Sequence, residues 1–140
     1  MKNYQIYNAY QSFEKLMNLR YNDYDTNVDI ALMYMEIEKR YNIITSMLNK
    51  LYNEFCVIDA HGNVVDSNGN YTIKPDKSYE DFMQELNKIS NADANYNPVK
   101  ITVNRNTFRG DMPNPKDIVL LQEFITFSKD TRVGGEENGK

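Results

Sequence analysis

Asp59, His61 and Asp66 lie within eight positions of one another among turn-forming residues. Carboxylates and an imidazole at such spacing are donors that could hold a divalent cation and lower the pKa of a bound water. The run Asp66-Ser67-Asn68-Gly69-Asn70 also begins as a calcium-binding EF-hand loop does, with oxygen donors at alternate positions. Its register fails further on. The sixth position, where such a loop needs glycine, is Tyr71, and the twelfth, where it needs a bidentate glutamate, is Lys77. Asn, Asp and Gly are equally the residues that tight turns require, so a turn is expected here and no metal ligand is assigned. Cys56 and His61 would supply a thiol and a base, yet no third group stands at a spacing that would orient the imidazole; a buried structural thiol is the expectation for Cys56. The nucleotide-binding glycine patterns and H-E-x-x-H are absent from the sequence. With one cysteine and one histidine in 140 residues, no convergent set of acid, base and nucleophile is expected. The chain is therefore read as a non-enzyme without catalytic residues, metal or cofactor. The enzyme alternative is a metal-dependent one using Asp59, His61 and Asp66.

Two surface chemistries remain. Lys100, Arg105, Arg109 and Lys116 make a locally basic stretch with Tyr96 and Phe108 beside it, the combination that grips single-stranded nucleic acid. A net charge of -4 and a pI near 5.0 oppose that partner, and a solvated strand face is preferred. Arg109-Gly110-Asp111 is expected to be a turn before the last helix. Tyrosine is the compositional excess, eleven residues, eight of them before Asn53. Such rings enrich protein interfaces and equally pack half-buried at helix edges, two readings that do not exclude each other; Tyr10, Tyr24, Tyr34 and Tyr41 are the candidate anchors for a protein partner.

The elements that would carry these residues follow from periodicity. Between residues 27 and 55, Ile30, Ile37, Ile44 and Leu51 recur every seven positions, with Tyr34, Tyr41, Leu48 and Phe55 in step. A 4-3 repeat held for four heptads predicts one long helix, with Thr26 and Asp29 as its capping box. Met33, Met35 and Met47 are expected to broaden its buried face. Ile6, Tyr10, Phe13 and Met17 predict a shorter helix over 5–20, antiparallel to the long one because the connection is short. At roughly 1.5 Å per residue the long helix runs about 43 Å, more than its upstream neighbour can cover, so an outside partner is expected along it.

Residues 57–74 predict a small hairpin around Asn-Gly, and Ser78 caps a helix carrying Phe82, Met83, Leu86 and Ile89 to about residue 90. Val99, Ile101 and Val103 alternate with polar residues as in a half-buried strand. Asn114-Pro115 opens a last helix whose buried stripe is Ile118, Leu121, Phe124 and Ile125. The fold class is α+β, mainly α: a long antiparallel helical hairpin (5–56), then a small α+β part (57–128) with a β-hairpin or strand element and two shorter helices. One domain is expected over 1–130, with a disordered tail at 131–140. No apolar run is long enough to span a membrane, and the polar start Met1–Gln5 has no export-signal character, so a cytoplasmic protein is expected.

The order of parts resembles a family of small phage and prophage proteins of unknown function. The residues that carry the likeness are Asp59-x-x-Gly62-Asn63, Asn68-Gly69-Asn70-Tyr71-x-Ile73, Phe82-x-x-Glu85-Leu86 and Pro115-x-Asp117-Ile118-x-x-Leu121-x-x-Phe124-Ile125, within residues 5–127. The resemblance implies a bacteriophage source and host bacterial cytoplasm as the place of synthesis, and carries over no activity. Read with the hairpin, it points to a protein-binding role, either a virion structural or assembly protein or a small acidic inhibitor of a host protein. A second copy of the chain is among the partners considered.

Overall fold

A computed structural model describes residues 1–67, 70–111 and 113–128. The expected tail at 131–140 and the Asn68-Gly69 turn lie outside these residues. The fold is mixed α+β and mainly helical. Among the described residues four helices, α1 (Asn3–Leu16), α2 (Tyr24–Phe55), α3 (Tyr79–Asn91) and α4 (Pro115–Leu120), are accompanied by short strands. The strands are β1 (Arg20–Tyr21), β2 (Asp66–Ser67), β3 (Asn70–Tyr71), β4 (Ile101–Val103), β5 (Phe108–Arg109) and β6 (Ile125–Phe127). Strands β1 and β5 pair antiparallel, as do β2 and β3, whereas β4 and β6 pair parallel with Ile101 opposite Ile125.

Helix α2 begins three residues earlier than periodicity suggested, and its cap is Asp23 rather than Thr26. The Asp23 carboxylate accepts from the Thr26 amide at 3.0 Å and from the Thr26 hydroxyl at 2.7 Å, which places Thr26 inside the first turn. An aspartate here satisfies an orphan amide and complements the positive end of the helix dipole, and these bonds hold its carboxyl below the usual value. Helix α1 stops at Leu16, so Met17 is its C-cap and is exposed instead of extending the buried stripe. The caps at Ser78 and Asn114, and Pro115 in the first turn of α4, are as expected.

The inner stripe of α2 is the spine of the core. Ile30, Met33, Ile37, Ile44, Leu48, Leu51 and Phe55 are all buried. Helix α1 covers its first half antiparallel, Phe13 meeting Tyr34 and Tyr7 meeting Tyr41. The second half, around Leu51 and Phe55, is covered by Phe82 of α3 and the partly buried Met83. The cover expected from an outside partner along this stripe thus comes from within the chain. Met33 joins the core and Met47 packs partly against it, but Met35 points outward and is exposed.

The last segment departs most from expectation. Helix α4 ends at Leu120; Leu121 and Phe124 are buried in the turn that follows, and Ile125 belongs to β6. The run Phe124-Ile125-Thr126-Phe127 is aromatic and β-branched, types that fit a pleated surface, and β4 offers it a ladder. On the same strand segment Val99 is not half-buried but 88% exposed, because pairing begins only at Ile101.

Candidate interaction surface

The Asp59 carboxylate accepts from the backbone amides of His61 at 2.8 Å and Asn63 at 2.9 Å, closing a turn in which Gly62 takes a positive φ of 82°. An isolated Ile58–Val64 bridge closes this turn, and β2 and β3 pair as a separate hairpin after it. Asp59, His61 and Asp66 are all exposed, and no group of three His, Cys, Asp or Glu side chains that could hold a metal ion occurs among the described residues. Cys56 is wholly buried at the end of α2, and burial pushes its thiol pKa up, against the ionised form a nucleophile needs.

Sequence reading missed a second polar constellation. Asp117, buried at the start of α4, accepts from the Ser12 hydroxyl at 2.7 Å and from the Lys15 ammonium at 2.9 Å. Burial pushes the Asp117 carboxyl up, but the hydrogen bonds from Lys15 and Ser12 outweigh it and the net shift is downward. Serine, lysine and aspartate in contact invite a catalytic reading; here the hydroxyl donates to a carboxylate and the ammonium is held by it, so neither is prepared to attack or to accept a proton. The trio ties α1 to α4. Asp117 stands about a hundred residues from Ser12 and Lys15, a separation that leaves no local pattern linking it to them.

The four candidate tyrosines divide. Tyr10 and Tyr41 stack face to face with centroids 3.9 Å apart, and the Tyr10 and Tyr34 hydroxyls approach to 3.1 Å. Both hydroxyls also reach a Glu38 carboxylate oxygen. This cluster sits half-buried on the seam between α1 and α2, so its rings serve first to join those helices. Contact with Tyr10, burial and the Glu38 carboxylate push the Tyr34 phenol well up. Tyr24, by contrast, is 80% exposed at the start of α2.

The basic stretch does not present its aromatics. The Tyr96 ring carries the Arg40 guanidinium 4.5 Å from its centroid, and Phe108 is buried edge-on to Tyr21. Arg40 also donates to the carbonyls of Ala94 and Asn95 and to Glu36, which fastens residues 94–96 against α2.

What remains open is the outer face of α2. Leu32, Met35 and Ile43 are 55%, 62% and 53% exposed. Leu32 shares an open groove of about 600 Å³ with Tyr96, Pro98 and Val99. Sequence reading overlooked Leu32 and Ile43 because they lie off the main stripe; their seven-residue register with Asp25 and Lys50 was the available signal. No helix among the described residues is long and apolar enough to cross a membrane. Comparison with protein-family models, curated proteins and solved structures finds no match.

Proposed function

We propose that this chain is a phage-encoded, non-catalytic protein-interaction protein that acts as an accessory to virion structure or assembly. The observation that supports it is the outer face of α2, where three large apolar side chains stay exposed on a helix whose inner stripe the chain has already covered. Apolar groups fixed on a rigid helix lose little entropy on docking and gain the transfer of their surface out of water. The docking residues are then Leu32, Met35 and Ile43, with Tyr24 at the helix start. This shifts the contact away from Tyr10, Tyr34 and Tyr41, which are occupied with one another. The phage source rests on the motif resemblance alone.

The net charge of -4 favours a second reading, in which the protein is an acidic inhibitor occupying the basic groove of a host protein. One experiment separates the two. Tagged protein is recovered from infected cells beside a Leu32→Glu, Ile43→Glu variant, and purified particles are assayed for the chain. A fixed copy number in particles, lost in the variant, supports the assembly role. A single basic host protein retained by wild type and not by the variant supports inhibition. Wild type and variant recovering the same proteins would sink both.

A further inference from the structure

We infer that the outer face of α2 is a self-complementary seam on which a second copy of this chain docks, its α2 antiparallel to the first. The inference deepens the protein-interaction reading by naming the partner of that same face, and rests on it. At 100° per residue, Asp25, Leu32, Glu36, Lys39, Ile43 and Lys50 fall within about 60° of one another, one stripe running about 38 Å along the helix. Every one of them is exposed or partly exposed. The stripe is acidic toward its N-terminal end and basic toward its C-terminal end, with the apolar pair between.

Two antiparallel helices related by a two-fold axis bring together positions whose numbers sum to a constant, and each contact then occurs twice. With the axis between Ile37 and Glu38 the sum is 75. Asp25 then faces Lys50 of the second copy, Leu32 faces its Ile43, and Glu36 faces its Lys39. Each acid meets a base and each apolar residue an apolar one. A parallel pairing would instead set Asp25 on Asp25 and Lys50 on Lys50, with like charges opposed along the whole stripe. Antiparallel pairing also opposes the helix dipoles favourably. The same arrangement gives Val99 a role: lining the same groove as Leu32, it would flank the second copy's Ile43. Glu36 keeps its intrachain pair with Arg40 at 2.6 Å, so the register depends chiefly on Asp25, Leu32, Ile43 and Lys50.

The test is sedimentation equilibrium of the full chain over a wide concentration range, with circular dichroism to check that each variant is folded. Wild type is expected to show a monomer–dimer equilibrium. Leu32→Asp should weaken it by at least about tenfold, since two apolar contacts are lost per dimer. Asp25→Lys should also weaken it, and Asp25→Lys with Lys50→Asp in the same chain should restore it, a rescue that only this register supplies. A wild-type chain that stays monomeric to millimolar concentration overturns the inference, as does a dimer indifferent to Leu32→Asp or not rescued by the charge exchange. A monomer that still retains a particle or host protein through this face would refute the self-pairing and leave the interaction reading standing. A dimer obeying the exchange, with nothing else retained, would support the self-pairing and count against both the assembly and the inhibitor role.

Discussion

Tyr10 of α1 and Tyr41 of α2 lie 3.9 Å apart between ring centroids, with their planes 12° from parallel. Tyr34 adds its hydroxyl at 3.1 Å from that of Tyr10, and Glu38 accepts from both. Four of the eleven tyrosines, Tyr7, Tyr10, Tyr34 and Tyr41, thus form a seam joining two helices, in which ring faces supply apolar contact and hydroxyls find partners at the edge.

That seam should be visible in an alkaline titration. Tyr34, Tyr21 and Tyr52 have phenols raised above the ordinary value of 10.0, Tyr34 chiefly by its Tyr10 hydrogen bond and the other two chiefly by burial. A group whose pKa is raised on folding contributes stability that is full below the unfolded value and is lost as pH climbs through the folded one. Stability should therefore fall above pH 10.0, with these phenols ionising only as the chain unfolds. Absorbance at the phenolate band against pH, followed beside circular dichroism, would show it; eleven tyrosines titrating together in a still-folded chain would contradict it.

Ile44 is 3% exposed on the inner stripe of α2. Ile44→Ala should cost roughly 2–5 kcal/mol, the range for truncating a buried branched side chain whose cavity cannot collapse. Urea denaturation measures this directly, and a change of a few tenths of a kcal/mol would place the stripe in solvent.

Asp117 should contribute to stability at neutral pH and lose that contribution in acid. Its carboxyl is held below the ordinary 3.8, so the stabilisation is present above that value and disappears as pH falls through the folded one. Asp117→Ala at pH 7 leaves the Ser12 hydroxyl without its buried acceptor and should cost about 1–3 kcal/mol. Most of that belongs to burial and the Ser12 bond, because Lys15 is 56% exposed and a pair screened by water contributes little. A wild-type advantage over Asp117→Ala that does not shrink as pH falls below 3.8 would argue against the linkage.

Gly110 ends β5 at a φ of 124°, and a Cβ placed there would stand 2.8 Å from the Leu19 Cδ2 atom. Gly110→Ala therefore meets both backbone strain and a side chain of the core edge, and about 1–3 kcal/mol of destabilisation is expected. Gly62, also at positive φ, has open space where a Cβ would be, so Gly62→Ala should cost less. Equal thermal midpoints for the two variants would refute the distinction.

The hairpin carrying Asp59 and His61 should bind no divalent cation tightly, since Asp59 is engaged with two backbone amides and its neighbours stay exposed. Calorimetric titration with calcium and with zinc tests this. Stoichiometric binding abolished by His61→Ala and by Asp66→Ala would revive the metal-dependent enzyme.

Features that depend on near neighbours are legible from residue spacing alone. The long helix, its inner stripe from Ile30 to Phe55, the caps at Ser78 and Asn114 and the turn after Asp59 all follow from spacing, because a helix repeats every 3.6 residues and a cap needs only the next three. Tertiary structure decided what covers each face. That Phe82 rather than an outside partner lies over Phe55, that Ile125 leaves a helix to pair with Ile101, and that Asp117 returns to Ser12 are contacts between residues distant in the chain. Periodicity says that a stripe will be buried and is silent on what buries it. The same reason separates the tyrosines: Tyr41 lies on the repeating stripe and Tyr24 before it, but only the position of α1 sets Tyr41 beneath Tyr10 while Tyr24 stays in solvent.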